Sequence, residues 1–252
     1  ERIALVAQLV QSVEQDVVVA RMQADGRLVQ HVAHALQVAA QLRSQAPQPQ
    51  APAPDAKPYD VLAQPIAGDR KRVRLLFAYD CPFCLRYHNG LVSWGASLPS
   101  GVTFDAYPVI PDGENPKVAM AVVGRLIGQS LAPKSLPAFD YAMYTAIQGD
   151  PMSSILPTSK MTMDDVLGAL VQAGVNQREM QQFLHTKGKG IEKKLSAHVS
   201  AIKTYQLTAT PSVAIGGRYV VNPDHSQGNP QHMLLLLNGI VSRVVQGDTH
   251  AL

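Results

Sequence analysis

Cys81 and Cys84 are the only cysteines in a chain of 252 residues. The stretch Cys81-Pro82-Phe83-Cys84 follows at once on Val73-Arg74-Leu75-Leu76-Phe77-Ala78-Tyr79, which has the pattern of a buried strand, and it opens a segment patterned as a helix through Ser97. A strand thus delivers the first cysteine to a helix start. There the unpaired N–H groups and the aligned peptide dipoles favour the thiolate, the form that attacks disulfides. Pro82 suits the first helical position, since it has no N–H to leave unpaired and its φ is already helical. Cys84, one turn further in, is expected to be more buried and less acidic. The chemistry open to this spacing is thiol–disulfide exchange, in which Cys81 attacks a substrate disulfide, or is attacked as part of its own, and Cys84 resolves the mixed disulfide.

Other uses of the pair fit less well. A bridge closing so short a loop restricts an unfolded chain of this length very little, so a structural staple is a poor explanation. A zinc site needs four ligands, and there is no second cysteine pair. His88, four residues past Cys84, is expected to be an exposed or packed helix side chain outside the site. No metal is expected, and no cofactor beyond the redox-active disulfide Cys81-Cys84.

The elements that must position these cysteines can be read along the chain. Val102 to Val109 reads as a second strand, and from Pro116 to Tyr205 the periodicity is helical, broken near Ala132-Pro133, Asp150-Pro151, Gly174 and Gly188 to Gly190. Thr210-Pro211-Ser212-Val213-Ala214-Ile215, a Gly216-Gly217 turn and Arg218 to Val221 form a hairpin pattern, and a last helix covers Pro230 to Val245. Met120, Met143, Met161, Met163 and Met180 are expected to fill the core of the helical block. Gly188-Lys189-Gly190 lacks the preceding strand and the Gly-Lys-Ser/Thr pattern of a phosphate loop.

Ahead of this body, the proline-rich stretch of residues 46–58 cannot build a core and reads as an extended linker. It follows a short module, residues 1–45, with two apolar seams: Ile3, Val6, Val10, Val13, Val17, and Leu28, Val32, Ala35, Ala39, Leu42. Helices explain both seams, although Val17-Val18-Val19 before Asp25-Gly26 also suits a strand. A module this small cannot bury its apolar face alone, and a second copy of itself is the simplest partner. The catalytic domain then covers residues 59–252, with a helical insertion over about 115–187.

The formal charge of +3 is spread along the chain rather than gathered with aromatics into a stripe, which argues against nucleic acid as a partner. No apolar run approaches the roughly 20 residues of a membrane-spanning helix. The first residue is Glu1, and we expect a processed chain whose signal peptide has been removed.

From Val73 to Val245 the motifs resemble, in order, those of the bacterial periplasmic DsbA-like proteins of the thioredoxin superfamily. Cys81-Pro82-Phe83-Cys84 is similar to that family's active-site motif. Leu98-Pro99-Ser100-Gly101-Val102 resembles the entry to its next strand, Val171-Gln172-Ala173-Gly174-Val175 a stretch of its helical insertion, and Thr210-Pro211 with Gly217 to Pro223 its proline loop and hairpin. The resemblance implies an α/β thioredoxin fold with a large helical insertion, periplasmic location, and a cis Pro211 facing Cys81. It makes Pro82 and Phe83 the active-site dipeptide and Thr210 and Pro211 the substrate-binding loop; Tyr79 and Asp80, next to Cys81 in the chain, are expected to be supporting residues. In the strongly oxidising members His stands where this chain has Phe83, so the thiolate should be less stabilised and the potential lower than the about −120 mV of DsbA. The family's buried acidic residue falls at Leu75 here, which leaves water or Asp80 to serve Cys84.

Thr210 resembles the residue before the cis proline in the isomerases DsbC and DsbG, where the DsbA oxidase has Val. Those isomerases are dimers built through an N-terminal module and linker. The expected activity is therefore that of a homodimeric protein disulfide isomerase acting on unfolded or misoxidised secreted proteins and served by a membrane redox partner. A plain DsbA-type oxidase is the alternative, and a dimeric holdase chaperone the less favoured one.

Overall fold

A computed structural model describes residues 57–111, 115–150, 153–187 and 189–247. The module expected over residues 1–45, nearly all of the linker over 46–58, and the Gly188 break lie outside the described residues.

The strand expected from Val73 forms as β2, Arg72–Phe77, but it stops two residues before Tyr79. Ala78 to Asp80 instead turn toward the helix, with the Cys81 N–H bonded to the Ala78 carbonyl at 3.2 Å. β3, Thr103–Pro108, runs parallel to β2, with Val73 opposite Phe104 and Leu75 opposite Ala106. β4, Ser212–Ile215, lies antiparallel on the other side of β2, and β5, Tyr219–Val221, pairs back onto β4. Gly216 and Gly217, at φ +63° and +65°, make the turn of this hairpin, a conformation open to glycine and strained for other residues. The edge is closed by β1, Asp60–Val61, a two-residue strand on β5 that is too short to show a periodicity. The sheet order is β1-β5-β4-β2-β3.

The helical segments fall close to the expected breaks. α1, Pro82–Ala96, follows β2, and the insertion carries α2, Pro116–Leu131, α3, Leu136–Gln148, α4, Met163–Gln172, and α5, Gln177–Lys187. α6, Lys189–Thr204, leads back toward the sheet, and α7, Pro230–Gln246, ends the domain. Helix α2 can lie against α3 and α4 because Gly124 has no side chain. A Cβ there would stand 2.4 Å from Val166 Cγ1 and 2.7 Å from Phe139 Cζ.

The main core joins one face of the sheet to the insertion through Leu75, Phe77, Tyr79, Cys84, Ile127, Phe139, Tyr144 and Leu170. Met143, Met161 and Met180 are buried in it, with Met120 and Met163 packed at its margin. A smaller core under α6 gathers Leu76, Val109, Ala201 and Tyr205 on the opposite face. There Arg74 lies 3.2 Å from the buried Asp69 and over the Tyr107 ring, while the Tyr205 hydroxyl donates to Asp69, so one ionic cluster fastens β2 to α6. Burial of charge here is matched by pairing, as it must be in a low dielectric.

Candidate active site

Cys81 occupies the N-cap of α1, in extended conformation at φ −90° and ψ 117°, and Pro82 takes the first turn. Its sulfur accepts the Cys84 N–H at 3.3 Å, which is how a capping side chain satisfies an unpaired donor of the first turn. Both cysteines are free thiols, Cys81 half-buried and Cys84 wholly buried. The Thr210–Pro211 peptide bond is cis, and the Cys81 thiol donates to the Thr210 carbonyl at 3.1 Å. The proline loop expected to face the cysteine therefore touches it.

These contacts split the two thiols. Cys81 is lowered from 9.0 to about 6, chiefly by the hydrogen bond from Cys84, against the cost of burial, with help from the Thr210 side chain and the N–H groups of Cys84 and Phe83. Cys84 is pushed well above 9.0 by burial first, then by its bond to Cys81 and the negative charge there. Its sulfur accepts the Ala78 N–H at 3.4 Å, a contact that favours its anion. One sulfur is thus ready to attack near neutral pH, and the other keeps its proton until the first has reacted.

The remaining expected residues separate into three environments. Phe83 is 55% exposed beside Cys81, so its ring presents an apolar surface to whatever approaches the sulfur. Asp80 is half-buried, and the leading influences on Cys84 are burial, Cys81, Ala78 and Thr210. Tyr79 is fully buried and faces away from solvent, with its hydroxyl donating to Asp140 at 2.5 Å. The Gln148 side chain donates to the carbonyls of Tyr79 and Cys81, at 2.5 and 3.2 Å, and so ties the end of α3 to the cysteine turn.

Behind the cysteines lies a polar group of residues that the sequence reading did not assemble. Asp140, 2% exposed, is held by Arg125 Nε at 3.0 Å and by Tyr79, and its Oδ2 lies 3.3 Å from His88 Nε2. His88 Nδ1 is 3.2 Å from the Tyr144 hydroxyl. His88 is therefore packed, as a helix histidine can be, but into a network rather than an apolar face. Burial opposes the Asp140 charge, yet Arg125, then His88 and Tyr79, hold its carboxyl below 3.8. A signal existed in the sequence: Arg125 sits in Val122-Val123-Gly124-Arg125-Leu126-Ile127, and a charge in the middle of an apolar helical run needs a buried partner.

A cavity of about 700 Å³ lies at the other end of the sheet, lined by Ile66, Arg70, Val73, Gly101, Tyr219 and Val244. Among the described residues no cluster of His, Cys, Asp or Glu is arranged to hold a metal ion, and no helix is long and apolar enough to cross a membrane.

Comparison with known proteins places the fold. No protein-family model and no curated protein matches the chain. Solved structures do. The chain is similar to Pseudomonas aeruginosa DsbA, at 20% identity and TM-score 0.60, over 76% of this chain and 94% of that one. It is similar to Proteus mirabilis DsbA with a non-covalently bound peptide, at 20% identity and TM-score 0.59, over 78% and 100%. Salmonella enterica serovar Typhimurium SrgA matches at 18% identity and TM-score 0.56, over 74% and 98%. The fold is a DsbA-like thioredoxin fold with a helical insertion, as the motifs implied.

The exposed position of Phe83 supplies a direct test of how its residue type sets the thiol. In Phe83→His, an added donor beside the sulfur should lower the Cys81 midpoint further below 6 and raise the reduction potential. Equilibration with glutathione buffers measures both, and an unchanged potential would show that the dipeptide does not control this thiolate.

Proposed function

We propose that this chain is a thiol–disulfide oxidoreductase, and more narrowly a homodimeric protein disulfide isomerase acting in the periplasm on folding or misoxidised proteins. The observation that carries the chemistry is the Cys81 sulfur, lowered to about 6 at a helix N-cap and in contact with the cis Thr210–Pro211 loop. In the first step the Cys81 thiolate attacks one sulfur of a substrate disulfide. A Cys81–substrate bond forms, the substrate bond breaks, and the other substrate sulfur leaves as thiolate. That thiolate can then attack another disulfide of the substrate, and the thiolate freed there attacks the substrate sulfur bonded to Cys81, so that a new substrate disulfide forms and Cys81 leaves as thiolate, unchanged in redox state, which is isomerisation. Alternatively Cys84 attacks Cys81, the substrate leaves reduced, and the pair is left oxidised.

An extended substrate segment would lie along the proline loop, where backbone groups stand beside the sulfur. The Proteus mirabilis DsbA structure with its bound peptide supports a peptide partner for a protein of this fold. The isomerase reading draws on Thr210 and on the module of residues 1–45 with its linker, which would hold two catalytic domains together. The plain oxidase is the second reading, favoured by likeness to DsbA structures, and it would be reoxidised by a membrane partner.

A Cys81 midpoint of about 6 lies between the values near 7 for thioredoxin and about 3.5 for DsbA. The potential is accordingly expected between about −270 and −120 mV. Refolding of scrambled ribonuclease separates the readings. Recovery of activity without added oxidant is the isomerase result, and dithiol oxidation alone is the oxidase result. The mass in solution of the full chain and of a version beginning at Ala46 tests the dimer, and a monomeric full chain removes the main support for isomerisation. Chaperone activity that survives Cys81→Ser would mark a holdase.

A further inference from the structure

We infer that Gln148 is a positioning residue through which the helical insertion holds the nucleophile: its amide bridges the carbonyls of Tyr79 and Cys81, and so keeps Cys81 in the geometry that lets its sulfur accept the Cys84 N–H. The inference rests on the thiol–disulfide reading above and names the residue that fixes its attacking sulfur in place.

The turn that carries Cys81 leaves the sheet with little backbone bonding of its own. β2 ends at Phe77, whose carbonyl accepts the Val109 N–H at 2.7 Å, and the Ala78 carbonyl accepts the Cys81 N–H at 3.2 Å. Among the described residues no backbone N–H is bonded to the Tyr79 carbonyl. The Cys81 carbonyl accepts the first bond of α1 from the Leu85 N–H, at a long 3.3 Å. Tyr79 is fully buried, so its carbonyl would stand unpaired and away from water without another donor. Gln148 supplies that donor, with Nε2 at 2.5 Å from the Tyr79 oxygen and 3.2 Å from the Cys81 oxygen. Both partners can only accept, so the side-chain NH2 faces them, and each of its two hydrogens serves one carbonyl.

Gln148 is itself held from the side of the insertion. It is the last residue of α3, and Gly149, at φ +78°, stops the helix with its N–H bonded to the Thr145 carbonyl at 2.8 Å. The returning chain closes on the same helix end: the Thr158 N–H donates to the Ala146 carbonyl at 2.8 Å, and Lys117 Nζ on α2 donates to the Thr158 carbonyl at 2.5 Å. A Cβ at position 149 would stand 2.5 Å from the Ile155 carbonyl oxygen, so this closure requires glycine. One end of the amide bridge is thus anchored to α2 and α3, and the other grips the two residues on either side of Asp80.

The consequence reaches the sulfur through geometry. Cys81 meets the Cys84 N–H at 3.3 Å and the Thr210 carbonyl at 3.1 Å from an extended backbone at φ −90° and ψ 117°. Freeing its carbonyl lets the peptide that opens α1 rotate, and a hydrogen bond weakens steeply as donor and acceptor leave their line. The thiolate then loses a capping donor and is less favoured. Because only the reduced pair contains the thiolate, its loss also shifts the redox equilibrium toward the disulfide. A Cys81 midpoint moved from about 6 to about 7, still within the range of cysteines at helix starts, lowers the thiolate's stabilisation of the reduced pair at pH 7 about 5-fold. At about 30 mV per tenfold, the potential falls by about 20 mV.

The experiment compares the full chain with Gln148→Met, which keeps an unbranched side chain of similar length and removes both donors. Thiolate absorbance of the reduced protein is titrated, and the potential is read by equilibration with glutathione buffers at pH 7. Gln148→Met should raise the Cys81 midpoint by about one pH unit and lower the potential by about 20 mV. A purely structural role would lower the melting temperature of reduced and oxidised forms alike and move neither reading. Either reading equal to that of the parent in the folded variant therefore overturns the inference. Gln148→Leu, also without a donor, decides the matter if Gln148→Met does not fold. If the parent exchanges no thiols with glutathione, the thiol–disulfide reading falls and the role of Gln148 with it. If the parent exchanges normally and the variant titrates with it, the role of Gln148 alone falls.

Discussion

Titration of the reduced protein should show thiolate absorbance rising with a midpoint near pH 6, and Cys81→Ser should remove that transition and reduce dithiol exchange to the uncatalysed background. A midpoint of 6 rather than 9.0 means about nine in ten Cys81 sulfurs are thiolate at pH 7, against about one in a hundred for an ordinary thiol, a gain of roughly ninetyfold. A thiolate of lower pKa is also a weaker nucleophile, and with a Brønsted slope of about 0.4–0.5 the loss is roughly 16- to 32-fold. The net gain in attack is only a few-fold. The larger benefit goes to departure, since Cys81 leaves a mixed disulfide more readily than an ordinary thiol does. Cys84→Ser should therefore still react at Cys81 but accumulate the mixed disulfide, visible as added mass on a non-reducing gel. Capture by Cys81→Ser with Cys84 intact would reverse the assignment of the two sulfurs.

The same shift sets a pH dependence of stability. Cys81 is an acid whose folded-state pKa is lowered, so its thiolate stabilises the reduced fold fully above about 9.0, and this contribution is lost as the pH falls through about 6. The oxidised protein has no such group. The difference in unfolding midpoint between reduced and oxidised forms should thus move in favour of the reduced form between pH 6 and 9, and a difference independent of pH over that window would show that the thiolate is not held as described.

The parts of this site that could be read from the sequence are those written by local physics. A buried strand ending at Phe77, Pro82 at a helix start, Pro211 before Ser212, and Gly216-Gly217 between two short strands each constrain the backbone within a few residues of themselves. Their order fixed the fold and brought Cys81 to Pro211. The network behind Cys84 was not readable in that way, because Tyr79, His88, Arg125, Asp140 and Tyr144 come from four separate segments and meet only through packing of the insertion on the sheet. Asp140 and Tyr144 do share a helical face, and Phe139, Met143 and Ile147 beside them are buried, so Asp140 reads as a charge among core residues. Such a charge states that a partner exists without naming it. Tyr79 was singled out by neighbourhood to the cysteines, and its use proved to be inward, toward Asp140, rather than toward a substrate.

Arg125→Leu should be the most destabilising single change in the insertion, because it leaves Asp140 buried with its main counter-charge gone. Removing one partner of a buried pair costs about 3–5 kcal/mol, whereas replacing both by well-packed apolar residues is often close to neutral. For a domain of this size that loss corresponds to a fall in melting temperature of roughly 10 °C. Arg125 also lies over the Phe77 ring, at 5.6 Å from its centre, so some of the loss would be packing rather than charge. The pH dependence separates the two. With Arg125 present the Asp140 pKa is lowered, so the pair stabilises the fold above about 3.8 and stops doing so as the pH falls through the lower folded value. Without Arg125 burial dominates and raises the Asp140 pKa, so the folded variant prefers the protonated acid and its deficit grows as the pH rises above about 4. Denaturation of both proteins at pH 4 and pH 7 should show a deficit several-fold larger at pH 7, and Arg125→Leu combined with Asp140→Leu should recover most of it. An equal deficit at the two pH values would assign Arg125 to packing alone.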